Sequence, residues 1–71
     1  MVNKSALAKR IRKARETKGF TQGQLAKKIG VHQSEISKIE TGNRDVGVIM
    51  LDKIATVLKV DLIELIYGKG K

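Results

Sequence analysis

Apolar positions along the chain recur at three- and four-residue steps, and glycines interrupt them at intervals. Leu7, Ile11 and Ala14 predict one face of a helix over about residues 5–18, with Gly19 as its stop. Leu25 and Ile29 predict a second over about 21–29, where Thr21 and Gln24 stand at capping-box spacing and Gly30 ends the pattern. Ile36 and Ile39 mark a third over about 32–40, followed by Gly42. A loop, "TGNRDVG", leads to a fourth over about 48–58, with Val48, Leu51, Ile54, Ala55 and Leu58 inward. Asp61 and Glu64 repeat the cap spacing and open a short fifth helix, about 62–67. Residues 68–71 are expected to form a frayed tail. Strand-like alternation is missing and so is proline, so the expected fold class is all-α. The chain is expected to be a single domain, residues 1–71, without linker, repeat or low-complexity segment.

Composition changes that picture in one respect. At 71 residues the core is modest, and with no cysteine no disulfide supports it. The lack of a His/Cys cluster predicts no structural zinc, and no other metal or cofactor is expected. The first residues lack the apolar centre of a signal peptide, and no apolar run approaches about 18 residues, so a soluble cytoplasmic protein is expected with no membrane partner. The charge is what stands out. Fifteen Lys and Arg against seven Asp and Glu give a net +8. Residues 1–20 alone carry seven basic side chains and one acid. Such a balance suits a polyanion, nucleic acid before membrane. Phe20 and Tyr67 are the only aromatic residues, too few for the stacking platforms of single-strand or RNA binders, so duplex DNA is the expected partner.

The third segment carries the candidate chemistry. At about 100° per residue, Ser34, Ser37 and Lys38 fall opposite the buried direction set by Ile36 and Ile39, with Gln33 and His32 at the exposed start. A solvated helix face is usually rich in Glu and Lys, because these residues favour helix while serine does not. Glutamine can bond an adenine edge bidentately, serine several edges, and lysine guanine or phosphate. The choice of residues suits a surface that reads DNA. The tight junction at Gly30 and Val31 sets the third helix across the second, so that it protrudes.

The run "FTQGQLAKKIGVHQSEISKIETG" resembles the lambda repressor/Cro family of helix-turn-helix domains, also called the XRE family. It carries a Thr-Gln start, Leu25-Ala26, Gly30 at the turn, Ile36 and Ile39 inward, and Glu40-x-Gly42 at the end. "LDKIATVLKV" is similar to the family's fourth helix, so the likeness runs from about Ile11 to Ile66. It implies a five-helix lambda-repressor-like bundle with the helix-turn-helix at helices 2 and 3, acting as a two-fold dimer on a palindromic operator. It also implies site residues. His32, Gln33, Ser34, Ser37 and Lys38 correspond to positions on or beside the base-reading face. Thr21 and Gln22 at the start of helix 2, with Asn43 and Arg44 in the loop after helix 3, correspond to contacts with the DNA backbone. Arg15 and Glu40 correspond to a pair tying helix 1 to the end of helix 3, and Arg15 also falls at the edge of the apolar face of helix 1.

Three positions depart from the family pattern. His32 stands where Ser, Thr or Gly is usual as a cap, Lys59 where glycine usually ends a helix, and Val46-Gly47 where Pro-Ser/Thr usually opens helix 4. Glu35 is expected as N3 of a capping arrangement rather than as half of a catalytic carboxylate pair with Glu40. Lys9, Arg12 and Lys13 are expected to form a solvated face. Ile49, Met50, Val57, Ile63 and Tyr67 exceed what a thin core needs; they fill the interior or close a homodimer through helices 4 and 5, and the resemblance favours the dimer. No nucleophile–base set, phosphate-cradling loop or metal site is visible, so no enzyme is expected. The reading is a sequence-specific regulator of transcription, a repressor by family habit. Its variants are an antitoxin autoregulator and a restriction-modification controller. A protein–protein adaptor without DNA binding is the alternative of another class.

Overall fold

A computed structural model of the chain describes residues 4–68. The expected frayed tail therefore lies, beyond Gly68, outside the described residues. Five helices follow one another: α1 (Lys4–Thr17), α2 (Gln22–Ile29), α3 (Gln33–Glu40), α4 (Val48–Leu58) and α5 (Leu62–Tyr67). Among the described residues the regular elements are all helical. The bundle measures 32 × 23 × 19 Å.

One core holds them together. Ile11 from α1, Leu25 from α2, Ile36 from α3, and Ile54 and Leu58 from α4 are fully buried, with Leu7, Ile39, Leu51 and Leu65 around them. At about 1.5–3 kcal/mol for each fully buried large apolar side chain, this cluster is the main favourable contribution to folding. Ala8 and Ala26 are buried too, where their small size lets helices approach closely. Ile29 and Ala14, expected to face inward, are half-buried at its edge.

Helix ends follow the local chemistry. Thr21 and Gln24 form the expected reciprocal box: the Gln24 N–H donates to Thr21 Oγ1 at 3.0 Å and the Thr21 N–H to Gln24 Oε1 at 2.9 Å. Gly30 closes α2 in the left-handed region at φ 90°, and its N–H donates to the Ala26 carbonyl at 2.8 Å. A side chain there would be strained, so glycine is required at the turn.

Three expectations are corrected. Val48 is 64% exposed rather than inward, because it stands in the first turn of α4 beyond the reach of the core. Glu35 does not complete a cap: His32 makes no side-chain capping hydrogen bond, and the Glu35 carboxylate instead accepts from Arg44 Nη1 at 3.1 Å. Asp61 caps α5 by accepting from the Ile63 N–H at 2.7 Å, one residue nearer than the box spacing to Glu64.

Candidate nucleic-acid interface

The packing of α3 on α2 puts the exposed face of α3 beside the amino-terminal end of α2. Gln33, Ser34 and Lys38 are exposed on that face, as is the His32 cap, while Ser37 is half-buried beside them. The predicted reading residues thus lie on one side of one helix. Asn43 and Arg44 follow in the loop, both exposed, and the Asn43 N–H donates to the Lys38 carbonyl at 3.1 Å. This bond folds the loop back on the end of α3.

Behind the face sits a buried ionic pair. Arg15 and Glu40 are 8% and 6% exposed. Arg15 Nε donates to Glu40 Oε2 at 2.6 Å and Nη2 to Oε1 at 3.0 Å, a bidentate fork. Its remaining donor, Nη1, is bound by the Phe20 carbonyl at 2.7 Å, just before α2. Hydrogen bonding to Glu40 raises the Arg15 pKa above its ordinary value; burial opposes this, while the charges of Glu40 and Glu16 add to it. Arg15 therefore stays charged, and because the shift is upward its contribution would be lost only in strong alkali. One side chain holds α1, the approach to α2 and the end of α3 in fixed relation.

Glu40 has a further partner. Gln22 Nε2 donates to Glu40 Oε1 at 3.1 Å, so the amide expected to meet phosphate is oriented by the same carboxylate. Its second N–H is left for an acceptor beside the amino terminus of α2, where unpaired backbone N–H groups favour an anion. Thr21, also expected to meet the DNA backbone, is engaged as the cap of α2. Arg44, also expected to meet the DNA backbone, is paired with Glu35, its Nη1 3.1 Å from Glu35 Oε1.

Sequence reasoning missed two of these contacts. Nothing local in the sequence points Gln22 at Glu40. Arg10 is half-buried and its guanidinium donates to the carbonyls of Leu65, at 2.8 Å, and of Ile66, so it caps the carboxyl end of α5. Its only sequence signal is its place beside Leu7 and Ile11 on α1.

The five apolar candidates of helices 4 and 5 divide. Ile49, Ile63 and Tyr67 are 73%, 61% and 66% exposed, whereas Met50 and Val57 are half-buried against the core. Val48 joins the exposed group. Among the described residues no group of three His, Cys, Asp or Glu is placed to hold a metal ion, and no helix is long and apolar enough to cross a membrane.

Residues 11–65 match a family model described as Helix-turn-helix. An uncharacterized HTH-type transcriptional regulator of Bacillus subtilis (strain 168), YazB, is 39% identical over 57 residues, covering 80% of this chain and 83% of that protein. The restriction-modification controller protein C.AhdI from Aeromonas hydrophila superposes with a TM-score of 0.82 at 33% identity, over 86% of this chain and 88% of that one. The N-terminal DNA-binding domain of SinR from Bacillus subtilis does so with 0.84 at 31% identity, over 94% and 99%. SinR in complex with DNA matches with 0.78 at 33% identity, over 83% and 95%. The chain belongs to the helix-turn-helix family, in its XRE or lambda-repressor-like branch of DNA-binding transcriptional regulators.

Proposed function

We propose that the protein binds a palindromic operator in double-stranded DNA as a homodimer and represses transcription by occupying it. The observation that carries this reading is the pairing of a short polar face on α3 with a rigid support. The face is exposed, while the side chains that fix its angle are buried. In this reading α3 enters the major groove, Gln33 and Ser34 meet base edges, and Lys38 reaches guanine or phosphate. Gln22 and Asn43 hold the DNA backbone, and Arg44 exchanges Glu35 for a phosphate on binding. The exposed Ile49, Ile63 and Tyr67 meet a second copy. The protein works on DNA in the cytoplasm.

Selection of bound sequences from a random duplex library tests the reading. The expected motif is an inverted repeat whose half-site centres lie about one helical turn, 34–36 Å, apart, matching two-fold symmetry. An asymmetric motif, together with a monomer in sedimentation at high concentration, would overturn the dimer. Failure to bind any duplex at low salt would overturn DNA binding and favour the adaptor.

The likeness to C.AhdI favours one variant, control of a restriction-modification system. A methyltransferase gene beside this one, with the selected motif upstream of it, would support that variant.

A further inference from the structure

Gly23 stands one residue after Gln22 in the first turn of α2, at a helical position where an alanine would favour the helix. Its backbone needs no glycine: φ is not positive there, in contrast to Gly30. What sets Gly23 apart is its neighbour. A Cβ built on it would come within 3.1 Å of Gln33 Oε1 and 3.8 Å of Gln33 Cδ, with Thr21 Oγ1 next at 3.9 Å. The carboxamide of the first residue of α3 thus lies over the bare backbone of α2, its oxygen the nearer end. We infer that Gly23 is a positioning residue for Gln33, giving the carboxamide its seat on the amino-terminal turn of α2.

The physics favours a seat over a mere gap. The first turn of a helix carries unpaired N–H groups and a partial positive charge, and a carbonyl oxygen turned toward it is stabilised. With the oxygen so placed, an otherwise mobile glutamine side chain has a preferred orientation before DNA arrives, which reduces the ordering cost of binding. A methyl group at 23 would crowd that oxygen at 3.1 Å. The carboxamide, being exposed, would move aside by a few tenths of an ångström or change rotamer, and the fold would not resist. Base reading depends on such placements, since a bidentate contact needs both ends of the amide in position. The inference rests on Gln33 as a base-reading residue, and the test separates the two.

Gly23→Ala, Gln33→Ala and the double variant are made in the full chain. They are measured for binding to the selected duplex, to duplexes altered one base pair at a time, and to scrambled DNA. Gln33→Ala is expected to lower discrimination at one base pair per half-site by roughly ten- to hundredfold. Gly23→Ala should lose a substantial part of the same discrimination, at the same base pair, and leave scrambled DNA bound as before. In the Gln33→Ala background it should change nothing further. The side-chain amide signals of Gln33, recorded without DNA, should shift in Gly23→Ala. The melting temperature should hold or rise, and any fall should vanish in the double variant. Unchanged discrimination and unshifted amide signals in Gly23→Ala, with Gln33→Ala still defective, would overturn the seat and leave Gln33 as a reader. Equal losses from Gly23→Ala in both backgrounds, in binding or in melting, would show that it acts through α2 itself. A harmless Gln33→Ala would overturn both readings.

Discussion

α2 and the carboxyl end of α3 differ from α4 in how tightly each is specified, while α3 begins at the uncapped His32 and α5 at the capping Asp61. α2 begins with a reciprocal capping box and ends at a left-handed glycine. Its partner α3 is anchored at Glu40 by a bidentate guanidinium and the Gln22 amide. By contrast, α4 begins at Gly47, which offers no capping side chain, and ends at Lys59, a non-glycine residue at φ 57°. Four large apolar side chains are exposed on α4 and α5, at Val48, Ile49, Ile63 and Tyr67. The Arg15–Glu40–Gln22 contacts lie at the end of the helix that, in the proposed reading, meets DNA. α4 and α5 leave exposed apolar surface, which the proposed dimer would cover.

The largest expected effect comes from unlocking the carboxyl end of α3. Glu40→Ala leaves the Arg15 guanidinium buried without its carboxylate and removes the acceptor of Gln22. A loss of about 3 kcal/mol is expected, severe for a domain of this size. Arg15→Ala should also destabilise, and the double variant by less than the sum of the two. Strict additivity in thermal melts would mean that the pair does not act as a lock.

Next comes the exposed apolar surface. Ile49→Asp should leave the monomer folded, since Ile49 is 73% exposed, and weaken self-association. A charge at the centre of an apolar contact should cost about 2 kcal/mol or more, roughly thirtyfold in dimer Kd. Sedimentation across a concentration series reads it. An unaltered dimer would place the contact elsewhere.

Two smaller effects sharpen the contrast, because both should stabilise. Lys59→Gly relieves a left-handed conformation that costs a side-chain-bearing residue about 1 kcal/mol, so the melting temperature should rise by about 4–8 °C. Gly47→Ser supplies the missing cap of α4, in open space, and should gain a few tenths of a kcal/mol. A loss from either would mean that the ends of α4 are already well fitted.

The same contrast explains what could be read in the sequence. Thr21, Gln24 and Gly30 act on backbone within a few residues of themselves, so α2 and its turn were legible. Ile36 and Ile39 fixed the buried side of α3, and hence its polar face. In "VIML" every residue at the start of α4 is apolar, so periodicity has nothing to choose with, and the inward side it predicts for Val48 is in fact the exposed one. Glu35 fits a capping pattern, but the pattern needs an accepting side chain at 32, and His32 makes no such bond. Arg10 and Gln22 are bound by partners 55 or 56 and 18 residues away, which local pattern cannot supply. Lys59 was legible as a departure, and its left-handed backbone is the physical content of that departure.

In the proposed reading α3 reads base edges from a fixed support, with Gln33 at its leading end. Binding of the parent protein and of Gln33→Ala to the selected duplex and to a scrambled one, across a salt series, tests it most directly. The expected result is a loss of about 1–3 kcal/mol on the selected duplex alone, with scrambled DNA bound as before and the salt slope unchanged. Equal weakening on both duplexes would make Gln33 a backbone contact and contradict the placement of α3 in the groove.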